Sequence, residues 1–167
     1  MKAQINKTIM STAVETMEKL AFLFSFPDDE RMNAFPGPAI AAKVGFHGLF
    51  SGSLALRMSS SVLPELAVNM LGLDDEEETN LELHLDAFKE LLNVICGNLL
   101  PALAGPEAEF SIEAPQIIGD DGIGEKIAFK IDNNTILKKR KIMLLSANIN
   151  TFHHLHPIKT SQINPSF

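Results

Sequence analysis

Residues 86–100 read DAFKELLNVICGNLL. At 100° per residue, Asp86, Glu90, Asn93 and Gly97 fall within an arc of about 60°. Phe88, Leu91, Leu92, Ile95, Cys96 and Leu99 occupy the other side. The spacing predicts an amphipathic helix with an apolar side for a core and a polar strip that the core does not need. Glu90 and Asn93 stand one turn apart on that strip. Gly97 leaves bare backbone beyond them, at about 1 kcal/mol relative to Ala. An acid, a carboxamide and a clearing are what a docking or hydrolysis site directed at a partner could use.

Thr79 or Asn80 can cap this helix, which is expected to run to Leu103. The acidic run Asp74-Asp75-Glu76-Glu77-Glu78 reads as a solvated linker that suits the N-terminal dipole. Upstream, Val62 to Leu71 is a shorter helix, capped by Ser59 or Ser60 and ended by Gly72. The stretch AIAAKVGFHGLFSGSLALRMS, residues 39–59, reads as a β-hairpin. Its arms are Ala42 to Phe50 and Ser53 to Met58, with the turn near Ser51-Gly52. Gly45 and Gly48 suggest close backbone approach or bulges. A first helix is expected from Asn6 to Phe24, with the stripe Met10, Ala13, Met17, Leu20 and Phe24. Phe26-Pro27-Asp28-Asp29 ends it. Strand candidates after the long helix are Ala108 to Ile118, Glu125 to Ile131 and Lys138 to Leu145. Gly119-Asp120-Asp121-Gly122 and Asp132-Asn133-Asn134 form turns between them. The order gives an α+β fold: a mostly antiparallel sheet with long helices laid on one face. Residues 1–149 read as a single domain and 150–167 as a C-terminal tail without periodicity.

Composition narrows the function classes. Of 167 residues, 46% are hydrophobic and 21% charged, which is globular rather than disordered. The net charge of −7 argues against nucleic acid or an anionic membrane as partner. The aromatic residues are all phenylalanine, which argues weakly against base stacking. The single cysteine, Cys96, excludes an internal disulfide and reads as core filler. MKAQINKTIM is too polar for a secretory signal, and no apolar stretch approaches about 18 residues. The expectation is a reduced, soluble, cytoplasmic protein.

The first helix repeats the polar constellation. Ser11, Glu15 and Glu18 match Asp86, Glu90 and Asn93 at a constant offset of 75 positions, and Phe22 stands where the second set has Gly97. A duplicated helix-plus-sheet half would produce this, and so would chance between two amphipathic helices. Glu18 in the carboxamide position would repel a phosphoryl oxygen. If the second set works, the first is a degenerate site.

With these residues in place, the chain resembles the CheC/CheX/FliY family of response-regulator phosphatases, closest to its CheX-like branch. The family signature is Asp or Ser, Glu, Asn and a later Pro; here it reads Asp86, Glu90, Asn93 and Pro115. The interval from Asn93 to Pro115 holds 21 residues, one fewer than that pattern. The flanking phrase LFSGSLALRMSSSVLPELAVNMLGLDDEEE also resembles CheX-like chains, and the likeness extends over residues 8–146. The resemblance implies a sheet of six or so strands flanked by long helices, and hydrolysis of the aspartyl phosphate on a CheY-like receiver domain. It implies that Glu90 pairs with the receiver's lysine and that Asn93 orients the attacking water. Asp86, Lys89 and Gly97 would contact the partner. The family likeness also implies a homodimer. The receiver would bring its own Mg²⁺, and this chain would bind no cofactor or metal. A carboxamide suits the task because it can accept from water and donate elsewhere without adding charge beside the phosphoryl group.

Other features carry less. His153, His154 and His156 read as histidines on a tail, since a metal there would need a fourth ligand and a fixed backbone. Lys138-Lys139-Arg140-Lys141 is the exposed start of a strand that discourages edge pairing, or a patch that steers an acidic receiver. His47 and His84 lack a Ser or Cys partner placed for a triad and read as structural. No GxxxxGK or GxGxxG phosphate loop exists in the sequence. The alternative to a phosphatase is a non-hydrolytic receiver-binding or flagellar-switch module using the same face. A structural dimer with a merely solvated face is the third reading.

Overall fold

The computed structural model describes residues 2–22, 25–26, 38–73, 79–119, 126–131 and 141–150, with side chains for 4–22, 38–73 and 79–119. The elements in chain order are α1 (Lys2–Ala21), β1 (Ser25–Phe26), β2 (Ala39–Gly48), β3 (Ser51–Ser59), a 3₁₀ turn (Ser60–Val62), α2 (Leu63–Leu71), α3 (Leu81–Ala104), β4 (Phe110–Ile112), β5 (Gln116–Ile118), β6 (Lys126–Ile131) and β7 (Lys141–Asn150). Among the described residues the strands form one seven-stranded sheet in the order β1-β6-β7-β3-β2-β4, with β5 also paired to β2. Every pairing is antiparallel. The expected fold class is the observed one.

The core lies between the helices and one face of the sheet. Along β2, Ala42, Val44 and Phe46 are buried while Lys43 and His47 are exposed, the period-two pattern of a strand with one covered face. Leu54, Leu56 and Met58 of β3 join them. From the helical side come Ile9, Ala13, Met17 and Ala21 of α1, Leu63 and Leu66 of α2, and the apolar side of α3. Asn69 of α2 donates to the Ala21 carbonyl at 2.6 Å, tying α2 to the end of α1.

Several boundaries differ from expectation for identifiable reasons. The hairpin turns at Leu49-Phe50, two residues before Ser51-Gly52, because Phe50 is drawn into an aromatic cluster. Its ring meets Phe110 edge-on at 4.9 Å and Phe46 at 5.9 Å, pairs worth about 0.5–1.5 kcal/mol each beyond their burial. The strand expected over 108–118 is two short strands on the same edge of β2. Pro115 has no N–H to donate to the ladder, so the chain departs between them. One bond survives there, from the Glu113 amide to the Gly45 carbonyl at 2.9 Å. A Cβ at Gly48 would collide with the Glu109 carbonyl, so that glycine marks the expected close backbone approach, while at Gly45 the nearest atoms belong to the flexible end of the Glu113 side chain. The last strand, Lys141–Asn150, runs five residues past the expected Leu145, and β1 was not anticipated.

α1 runs from Lys2 and ends at Ala21, before the expected Phe24. Its buried stripe is Ile9, Ala13, Met17 and Ala21, which leaves Leu20 37% exposed. Ser59 stands before the 3₁₀ turn, but its hydroxyl contacts Ser61 Oγ at 3.0 Å and caps no backbone amide. Gly72 ends α2 in the left-handed conformation at φ 64°, as expected. One sequence expectation is corrected: α3 contains an 18-residue window with mean hydropathy 1.2, long and apolar enough by composition to cross a membrane. Its apolar side chains instead form the centre of the core. The acidic run 74–78, the turns 120–122 and 132–134, the basic residues 138–140 and the histidines 153–156 lie outside the described residues.

Candidate functional site

α3 is positioned from both ends and from below. Asn80 caps it, its side chain accepting from the Leu83 amide at 2.9 Å. Thr79 Oγ1 and His84 Nε2 lie 2.7 Å apart across the same first turn, a structural contact for that histidine. Phe88, Leu91, Leu92, Ile95, Cys96 and Leu99 are all buried, so the apolar side is the one the sequence assigned. Burial pushes the Cys96 thiol up from 9.0 to about 12, which leaves it protonated and unreactive at neutral pH. Asn98 Nδ2 donates to Thr16 Oγ1 of α1 at 3.0 Å and sets the rotation of α3 against its neighbour.

That rotation turns the polar strip outward. Asp86 and Glu90 are exposed, and Asn93 and Gly97 are half-buried on the same strip. Asn93 Nδ2 donates to Glu90 Oε2 at 3.5 Å, the long end of a hydrogen bond. In that arrangement the carboxamide oxygen is the group left to accept from solvent or a partner. Lys89 Nζ pairs with Asp86 Oδ1 at 2.7 Å, a surface contact worth about 0.3–0.5 kcal/mol. A Cβ at Gly97 would meet nothing within 4 Å among the described residues, so the clearing is open with respect to them. Leu100, which is buried, bounds the strip along one side. Sequence reasoning did not single out Pro101, an exposed proline within α3; its signal is its place four residues after Gly97.

The other predicted residues are placed apart from this strip. On α1, Ser11 and Glu15 are exposed and Glu18 is half-buried, with Glu15 Oε2 and Lys19 Nζ 3.8 Å apart. Phe22 does not fill a clearing on that helix. It lies beyond the helix end at φ 51° and is 62% exposed, so the α1 set ends at Glu18. Pro115 sits in the break between β4 and β5, at the sheet edge. Among the described residues, no three His, Cys, Asp or Glu side chains cluster to hold a metal ion. An open cleft of about 520 Å³ is lined chiefly from the sheet face turned away from the helices, by Lys43, His47, Ser53, Glu113 and Gln116, and includes no residue of α3.

Fold and sequence together define a class. Residues 40–132 match the family model for chemotaxis phosphatase CheX. Among solved structures, a CheX chemotaxis protein from Desulfovibrio desulfuricans superposes with a TM-score of 0.61 at 21% identity, covering 87% of this chain and 99% of that one. The CheX-CheY-BeF3-Mg complex from Borrelia burgdorferi gives 0.64 at 18% identity, over 87% and 97%. FliY from Thermotoga maritima gives 0.55 at 18% identity, over 86% of each chain. No curated protein sequence matches the chain. The chain belongs to the chemotaxis phosphatase CheX family.

Proposed function

We propose that this protein accelerates hydrolysis of the aspartyl phosphate on a CheY-like receiver domain, with Glu90 and Asn93 as the working pair. The observation that carries this reading is their outward projection, in contact with each other, beside the open backbone of Gly97. Family membership supports the reading, as does a solved CheX of the same fold in complex with CheY.

The chemistry asks little of this chain. An acyl phosphate is already reactive, so placing a water in line with phosphorus is the main contribution, through orientation rather than strong base catalysis. Water attacks phosphorus, the bond from phosphorus to the aspartyl oxygen breaks, and inorganic phosphate and a free carboxylate result. Asn93 accepts a hydrogen bond from the water through its amide oxygen. Its amide nitrogen, donating to Glu90, holds the oxygen in that sense. Glu90 pairs with the receiver's lysine and is desolvated as the complex forms, so it fixes the docking geometry. Lys89 neutralises Asp86 and leaves Glu90 as the free negative charge for that contact. Mg²⁺ belongs to the receiver. The α1 set, with Glu18 in place of the carboxamide, is the degenerate copy, and the protein acts as a homodimer in the cytoplasm.

The test is phosphate release from a phosphorylated CheY-like receiver. Added protein should shorten the phosphate lifetime, and Asn93→Ala should abolish the effect while leaving the circular dichroism spectrum and melting temperature unchanged. Binding without any change in lifetime would favour a non-hydrolytic module instead.

A further inference from the structure

Two residues of α3 work against helix propensity on the same outward strip, and the packing of this chain calls for neither. Gly97 is disfavoured in a helix interior, yet among the described residues a Cβ there would meet nothing within 4 Å. Gly48 is different, because a Cβ there would collide with the Glu109 carbonyl and the Phe110 backbone. Pro101 stands four residues after Gly97, exposed and within the helix. Proline has no N–H, so the helix bond that would occupy the Gly97 carbonyl oxygen cannot form. The two choices coincide at one spot: bare backbone with an acceptor oxygen denied its i+4 donor.

We propose that Gly97 and Pro101 form a backbone notch on α3 that receives a hydrogen-bond donor from the receiver domain. This rests on the receiver-directed reading of Glu90 and Asn93. The strip then presents acceptors in a line: the Glu90 carboxylate, the Asn93 amide oxygen and the Gly97 carbonyl, spanning about 10 Å along the axis. A donor-bearing surface is its complement, with a cation at Glu90 and an N–H at Gly97. The missing Cβ lets that N–H approach the helix backbone, and the missing Pro101 N–H leaves the oxygen to accept it. The notch determines how closely and in which register the partner lies along α3, so it governs affinity rather than the chemical step.

The test uses Gly97→Ala, which fills the notch, and Pro101→Ala, which restores the internal donor. Each improves the helix, so each should raise the melting temperature, by about 2–4 °C for Gly97→Ala and by roughly three times as much for Pro101→Ala, in proportion to their helix propensities. Each should also raise KM for a receiver phosphorylated with acetyl phosphate, by about tenfold for Gly97→Ala, with kcat nearly unchanged. Titration with a receiver carrying beryllofluoride and Mg²⁺ should show the same loss of affinity. A more stable variant with unaltered KM and unaltered binding overturns the notch. If the wild-type protein binds the receiver without hydrolysing its phosphate and Gly97→Ala abolishes that binding, the notch stands and the phosphatase reading fails. A change in self-association with receiver affinity unchanged assigns the face to a second copy of this chain and overturns the proposal.

Discussion

Asn98 of α3 donates through Nδ2 to the hydroxyl of Thr16 on α1, and that threonine is only 3% exposed. The bond joins residues 82 positions apart and lies immediately beside Gly97 in sequence. It therefore couples the packing of α1 to the direction in which the polar strip of α3 faces. Replacing Thr16 with Val keeps the volume and removes the acceptor. Thr16→Val is expected to destabilise the protein by about 1–2 kcal/mol in urea unfolding, with no loss of helical circular dichroism in the native state.

Glu90→Gln keeps the hydrogen-bonding shape of the side chain and removes its charge. In the proposed complex this weakens binding, so KM for the phosphorylated receiver should rise about tenfold. Its salt dependence should flatten, because screening acts on the ion pair that has been removed. Equal salt slopes for wild type and variant would show that Glu90 does not meet a cation.

Cys96 gives a stability prediction with a definite sign. Its thiol is pushed from 9.0 to about 12 by burial, so the unfolded chain loses this proton first as pH rises. Stability from this group is fully present below pH 9 and declines between pH 9 and about 12, by at most about 1.4 kcal/mol per pH unit. Denaturant midpoints of wild type and Cys96→Ala should converge over that interval. The native thiol should also resist alkylation at pH 8 and react once the protein is unfolded.

Asn80 tests the local order of the helix that carries the site. Its side chain satisfies the Leu83 amide, one of the donors a helix start leaves open. Asn80→Ala should cost about 1 kcal/mol in global stability. Because the cap is ten residues from Glu90 in sequence, receiver dephosphorylation at saturating receiver should change little.

The legible parts of the fold share one property: each is decided within a few residues of chain. The α3 periodicity, the Asn80 cap and the Gly72 stop depend on local geometry, and each agrees with the structure. The parts that were misplaced depend on distant partners. The hairpin turn moved because Phe50 packs on Phe110, sixty residues away. The helix stripe of α1 is rotated so that Ile9 and Ala21, not Met10 and Leu20, are buried. Both alternatives are helically spaced, and only the shape of the facing surface chooses between them. The two-residue strand β1 carries too little pattern to detect and exists through its pairing with β6.

For the site, the sequence alone determined that Asp86, Glu90, Asn93 and Gly97 share one helical face, because 100° per residue is a property of the helix itself. Tertiary packing decided that this face is the one turned outward, through the buried side of α3 and the Asn98–Thr16 bond. It also decided that the matching set on α1 loses its fourth member at the helix end. A local rule can place side chains relative to one another. Which of them meet water is set by apolar surface and polar partners contributed from elsewhere in the chain.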